Sequence, residues 1–173
     1  MILAHSEIIK ALKAKKISVT PLDYDNIGPC SIDLCLGNQF KVMKKKGQFI
    51  NVTNGFVCVE DVFYEKKIVR EGGFIELKPF ELVLGTTLER IKLSKGFAGS
   101  LEGRSRFARI GLMVHISSSF VQPGVNNVQV LEIINFSQNV IRLYPGVKIC
   151  QIIFSKVQGE GVYSGVFKNQ ISP

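Results

Sequence analysis

The sequence predicts an all-β fold, a sandwich, barrel or jelly roll, preceded by a short N-terminal helix. Two observations predict it. From Ile32 onward the chain is a series of short β-rich runs punctuated by Gly, Asn and Pro, the spacing of antiparallel strands joined by tight turns. Helical periodicity is confined to the start and to one brief segment that begins at Gly103. A length of 173 residues with 46% hydrophobic content fits a single domain, 1–173, with a sizeable core, and excludes disordered and fibrous classes. No apolar run approaches the roughly 18 residues that cross a bilayer. Charges between Met1 and Lys16 stand where a signal peptide needs an apolar centre, so a soluble, cytoplasmic protein with no membrane partner is expected.

The elements follow in order. Ser6 is placed to cap the helix, Ile8, Ile9 and Leu12 share a face, and Lys13, Lys15 and Lys16 gather at the end where the dipole favours cations. Pro21 lies beyond its end. Strands are expected over 32–42, 56–63, 73–77, 82–87, 96–101 and 112–116, then at Val121 and over 128–136, 140–143 and 148–157. The KKKG run at 44–47 reads as a solvated hairpin tip. Between strands, 103–111 (GRSRFARIG) carries a short helix signature: Ser105 near the start, Phe107 and Ile110 on one side, and Gly111 as the stop. The tail, 159–173, is Gly-rich yet holds Tyr163, Phe167 and Gln170, and reads either as a lid or as a frayed end. Cys30, Cys35, Cys58 and Cys150 form no CxxC and have apolar neighbours, so they are expected as core thiols in a reducing compartment.

Candidate chemistry collects in few places. With 22 Lys and Arg against 14 Asp and Glu the chain carries +8, which favours polyanionic partners. Arg104, Ser105 and Arg106 crowd a helix N-terminus, and Arg109 lies one turn on from Ser105, which together make a phosphate cradle. The alternative is a set of surface arginines on a capped helix. In 128–136 the pleat puts Val128, Val130, Ile134 and Phe136 on one side with Glu132 among them. Unless an arginine such as Arg109 pairs with it, burial favours its neutral form and suits it to carry protons near neutral pH. Gln151 is a milder case in an apolar run, either a satisfied core amide or a substrate hydrogen-bonding group. The SSSFVQPG loop at 117–124 mixes small hydroxyls, an aromatic and an amide, which suits a pocket for a base on a sugar. GxxxxGK[ST], GxSxG, HExxH and GxGxxG do not occur, nor does HxE followed by PCxxC, so a deamination would proceed without zinc. His5 and His115 are too few for a His-rich metal site, and His115 reads as a core or pocket-wall histidine.

These residues resemble a known family. GRSRFAR at 103–109, IGLMVH at 110–115, QPG at 122–124, VLEIIN at 130–135 and PGVKICQIIF at 145–154 are similar, in this order and spacing, to the deoxycytidine triphosphate (dCTP) deaminases. Those enzymes share a superfamily with the trimeric deoxyuridine triphosphatases (dUTPases). The resemblance includes the initial MIL and GPCSIDLCLGNQF at 28–40. It implies a distorted jelly roll or β-clip, a homotrimer with sites between subunits, and magnesium bound through the triphosphate. By the same resemblance Glu132 is the proton-shuttling carboxylate, Ser105 and Arg109 hold the reacting end, and Ser118 leaves room for the attacking water. Arg104, Ser105, Arg106, Phe107, Ala108 and Arg109 then contact the triphosphate, and Val130 and Leu131 offer backbone to the base. Gln151, Tyr163 and Gln170 close over the phosphates.

Four positions depart from the family pattern. Arg106 stands for a second serine, and Gln122 for an aspartate beside the sugar. Phe120 replaces the arginine of the deaminase-only branch and is nearer the aromatic of the dUMP-forming branch. Val166 stands for a lid lysine, with Lys168 nearby to supply the charge. Because glutamine cannot act as a carboxylate base, the expected reaction is hydrolysis of dCTP to dUTP and ammonia. Three alternatives accompany it: dUTP diphosphatase or bifunctional dUMP formation, a catalytically silent nucleotide-binding relative, and a nucleic-acid-binding β-barrel. The last lacks the interleaved aromatics of a stacking platform, so no nucleic-acid partner is expected.

Overall fold

The computed structural model describes residues 1–44, 49, 52, 64–159 and 161–173. The strand expected over 56–63, Cys58 and residues 45–47 of the lysine-rich tip lie outside the described residues. Helix α1 (His5–Lys13) buries Ile8 and Ala11 and ends on Lys10 and Lys13. Ser6 is not its cap. The N-cap is Ala4, in extended backbone, and the His5 N–H donates to the Pro29 carbonyl at 2.7 Å. Packing on the loop before the first long strand therefore starts the helix earlier than the local capping signal does.

Strand β1 (Ile17–Thr20) follows at once and buries Ile17 and Val19. The remaining strands are β2 (Ile32–Met43), β3 (Tyr64–Ile68), β4 (Ile75–Leu77), β5 (Leu82–Leu93), β6 (Phe97–Gly103), β7 (Leu112–Val114), β8 (Phe120–Val121), β9 (Asn126–Asn135), β10 (Ile141–Leu143) and β11 (Lys148–Lys156). Helix α2 (Ser105–Ala108) sits between β6 and β7. Among the described residues one antiparallel sheet runs β7-β9-β5-β2-β11-β6-β8, with β1 on β5 and β3 on β2, and β4 and β10 form a separate pair. The expected all-β class with a short N-terminal helix is what forms, and no helix among the described residues is long and apolar enough to cross a membrane.

The sheet curls because long strands serve two ladders each. Residues 32–35 of β2 pair with β11, whereas 36–42 pair with β5. The alternating side chains Ile32, Leu34 and Leu36 therefore face the same core as Leu131 and Ile133 of β9 and Ile152 and Phe154 of β11. Where β2 crosses β5 the register slips between Leu36 and Phe40. Gly37 sits at that slip, and a Cβ there would lie 2.7 Å from Thr86 Oγ1 and 3.1 Å from the Thr86 and Thr87 carbonyls. Only glycine permits so close a crossing.

The same crossing holds a buried charge. Glu89 of β5 is 3% exposed, and both its carboxylate oxygens accept the Cys35 N–H, at 2.9 and 3.1 Å. Burial pushes the Glu89 carboxyl above its ordinary range, while the Cys35 N–H pulls the other way. Burial together with the neighbouring Glu89 raises the Cys35 thiol to about 11, and burial raises the Cys150 thiol as well, so both are inert. Cys30 departs from the expectation of core thiols: it is exposed, in the turn that leads into β2.

Because the folded state raises the Glu89 pKa, its carboxyl binds its proton more tightly folded than unfolded. Its contribution to stability therefore falls as pH rises from the unfolded value through the raised folded one. Glu89→Gln is expected to gain stability relative to the parent as pH rises from 5 to 7.5, measured by thermal melting at both values. A difference that does not change with pH would mean that the buried group carries no such penalty.

Candidate active site

Strand β9 alternates as its spacing predicts. Asn127, Gln129, Leu131, Ile133 and Asn135 are buried, and Val128, Val130, Glu132 and Ile134 on the other face are half-buried. Phe136 lies beyond the strand, exposed, edge-on to Phe80. The Glu132 side chain, 29% exposed, opens into a cavity of about 340 Å³ between β9, the 115–125 loop and the tail. That volume is within the range of small-molecule sites. Ser118, Phe120, Gln122, Val130, Tyr163 and Gln170 line it with Glu132, so seven of the sequence-derived site residues share one cavity.

The residue facing Glu132 is His115, not Arg109. Strand β7 stops at Val114 because His115 turns into left-handed backbone, with φ of 59°. Its N–H donates to the Glu132 carbonyl at 2.7 Å, and its Nε2 donates to the Ser118 carbonyl at 2.8 Å. The ring, 5% exposed, thereby aims Nδ1 at Glu132 Oε2 from 3.7 Å. Both atoms are buried, and among the described residues neither has a hydrogen-bond partner. A carboxylate oxygen and an imidazole nitrogen thus face one another just beyond hydrogen-bond distance. His115 was legible in the sequence only as a pocket-wall histidine, since neither its φ nor its partner leaves a local signal.

The outer edge of β9 is the third component. Glu132 O is taken by His115, while the N–H groups of Asn126 and Val128 donate to the tail carbonyls of Lys168 and Gln170, at 2.9 and 3.1 Å. Neither segment reaches Val130, which lies between them. An outward-facing peptide N–H and C=O are thus left beside the carboxylate, a matching pair for the edge of a planar base. Leu131 points its side chain into the core and pairs with Gly85 of β5.

The expected phosphate-binding residues are elsewhere on the chain. Ser105, Arg106 and Ala108 are exposed on α2, Arg109 is exposed at its C-cap, and Phe107 packs against the core. Arg104 pairs with Asp33 at 3.1 Å and donates to the Lys148 carbonyl at 3.2 Å. Gln151 accepts from Ser31 Oγ at 2.7 Å. None of these lines the cavity of Glu132, and Lys168 does not line it either. Among the described residues no three of His, Cys, Asp and Glu are grouped to hold a metal ion.

Comparison with known proteins places the chain in a family. A sequence-family profile described as dCTP deaminase-like matches residues 2–157. The chain is 38% identical over 160 residues to a dUMP-forming dCTP deaminase of Dictyoglomus turgidum, covering 91% of this chain and 81% of that one. It is 36% identical over 165 residues to a dCTP deaminase of a Marinomonas species, covering 92% and 85%. Among solved structures, the dCTP deaminase from Agrobacterium tumefaciens superposes with a TM-score of 0.68 at 20% identity over 91% of this chain. This chain spans about half of that one, 48%. The EIAV dUTPase superposes with a TM-score of 0.53 at 14% identity, covering 86% and 93%, which shows a dUTPase-like fold. With a family profile matched across most of its length and relatives above a third identical, the chain belongs to the dCTP deaminase-like family.

Proposed function

We propose that this chain deaminates dCTP, with Glu132 as the group that moves the protons. The observation that carries the reading is the Glu132 carboxylate, open to a nucleotide-sized cavity beside the free peptide edge of Val130 and backed by His115. Glu132 takes a proton from water and the hydroxide oxygen bonds to C4 of the base. The C4–N bond then breaks as the same carboxyl protonates the departing ammonia. No zinc enters these steps. The Val130 peptide holds the edge of the base, His115 fixes the carboxylate, and Ser118 leaves space for the water. Phe120 and Gln122 flank the sugar. Magnesium is proposed to arrive as part of the substrate, on the triphosphate. Glu132→Gln keeps the volume but cannot shuttle a proton, and is expected to lower ammonia release about 10²- to 10⁴-fold while melting temperature and nucleotide binding are kept. Near-parental turnover would remove Glu132 from the mechanism.

We further propose that α2 of a neighbouring copy completes the site in a homotrimer, the closed symmetry with three identical sites. Support comes from the split just described: Ser105, Arg106 and Arg109 are exposed and solvent-facing, away from the cavity that holds Glu132. Arg104 and Gln151 stand near that half, and Tyr163, Lys168 and Gln170 close over the phosphates from the tail. Light scattering is expected to give three times 19.2 kDa. Mixing inactive Glu132→Gln and Arg109→Ala chains is expected to restore part of the turnover, because some mixed sites draw both intact residues from different copies. No restoration on mixing would place the site within one chain.

Two products are supported by different observations. Gln122, on the cavity wall where a carboxylate would activate water at phosphorus, favours release of dUTP. The names of relatives such as those of Dictyoglomus turgidum and a Sulfurihydrogenibium species, the latter 35% identical over 172 residues, favour dUMP. If Gln122 decides, the parent accumulates dUTP from dCTP, and Gln122→Asp raises pyrophosphate release, resolved by ion-exchange chromatography of the products. Stoichiometric dUMP from the parent would assign the second reaction to other groups.

A further inference from the structure

The tail docks on β9 with little apolar burial. Val166 is 88% exposed, and Val162, Phe167 and Ile171 are exposed as well. Tyr163, which packs on the core, and the buried Pro173 are the exceptions. Polar ties therefore hold it: Tyr163 N–H to the Pro123 carbonyl at 2.9 Å, the Asn126 and Val128 N–H groups to the tail, and one tie from a side chain. That one is Asn127, whose Nδ2 donates to the Phe167 carbonyl at 2.7 Å.

Asn127 is itself held in one orientation. Its Oδ1 accepts from Gln129 Nε2 at 2.6 Å, and its Nδ2 faces the Phe167 carbonyl, which can only accept. The backbone N–H of Gln129 separately donates to Thr87 Oγ1 at 3.0 Å. Turning the Asn127 amide over would set NH₂ against NH₂ and oxygen against oxygen. Asn127 and Gln129 are both buried and both line the cavity that Tyr163, Phe167 and Gln170 cover.

We infer that Asn127 and Gln129 are positioning residues that latch the tail across the substrate cavity, Gln129 by holding the Asn127 amide in the orientation that faces the Phe167 carbonyl. The inference deepens the dCTP reading and rests on it for the identity of the occupant, but the latch can be measured without nucleotide. Asn127→Asp still accepts from Gln129 and places an oxygen against the Phe167 carbonyl. Gln129→Met keeps the volume and removes the donor. Each is expected to speed amide hydrogen exchange at Asn126, Val128 and Tyr163 about five- to tenfold, with the amides of β2 and β11 unchanged. Unchanged exchange at these three amides in Asn127→Asp, or exchange raised equally in β2 and β11 in both variants, would overturn the latch. With dCTP the KM of Asn127→Asp is expected to rise about five- to tenfold while kcat changes less, the pattern of lost closure and not of lost chemistry. A fall in kcat at constant KM would overturn its role over the substrate. Failure of the unmodified chain to deaminate dCTP counts against the substrate assignment, whereas the exchange result decides the latch.

Discussion

The close crossing of β2 and β5 is the constraint on which the rest depends. Gly37 lets the two backbones approach where the register of β2 slips, and a second slip, in the pairing with β9, leaves Thr86 to Arg90 as a bulge on β5. The bulge directs Glu89 inward onto the Cys35 N–H and presents Thr87 to β9. Strand β9 takes its register from β5 on both sides of this bulge, so the height at which Glu132 meets the cavity is set at a point distant from it. A side chain at Gly37 would disturb core, carboxylate and tail together.

Glu132 is a carboxylate whose nearest partner is a buried imidazole and not a guanidinium. A guanidinium would keep the carboxylate permanently charged, since arginine does not give up its proton in proteins. An imidazole places no such permanent charge beside the carboxylate, and here the two stand 3.7 Å apart. The arginines instead stay at the surface or, like Arg104, are tied to Asp33 and a carbonyl. The Glu132 carboxylate and the exposed Arg106 and Arg109 are thus kept apart on the chain, and under the proposed function they would meet only across copies.

Legibility from sequence followed the range of the interactions. The alternation expected over 128–136 is local, and it appears in β9, which runs from Asn126 to Asn135; Gly111 has the left-handed backbone of a stop, and Ser118, Phe120 and Gln122 of the 117–124 loop line the cavity of Glu132. Strand β1 was not legible, because four residues between a helix and a proline carry too little pattern. Strand β5 continues to Leu93 although the text after Thr87 reads as charged, since Glu89 is tolerated inside only through Cys35, a residue 54 positions away. Ser6 looked like a cap because capping is a local rule, yet the Pro29 carbonyl, a tertiary contact, started the helix. His115, Asn127 and Gln129 became site residues through partners that lie on other strands or on the tail.

The tail also covers a strand edge. Toward its far end the outer edge of β9 is covered by β7 and His115, and toward its near end, among the described residues, by the carbonyls of Lys168 and Gln170. Were the tail to lift, as the proposed latch allows, the peptide groups of Asn126, Val128 and Val130 would form a bare strand edge flanked by valines, the kind of surface to which other chains add in cross-β aggregation. Under that proposal the colloidal stability of the protein would depend on how firmly the tail is seated on β9.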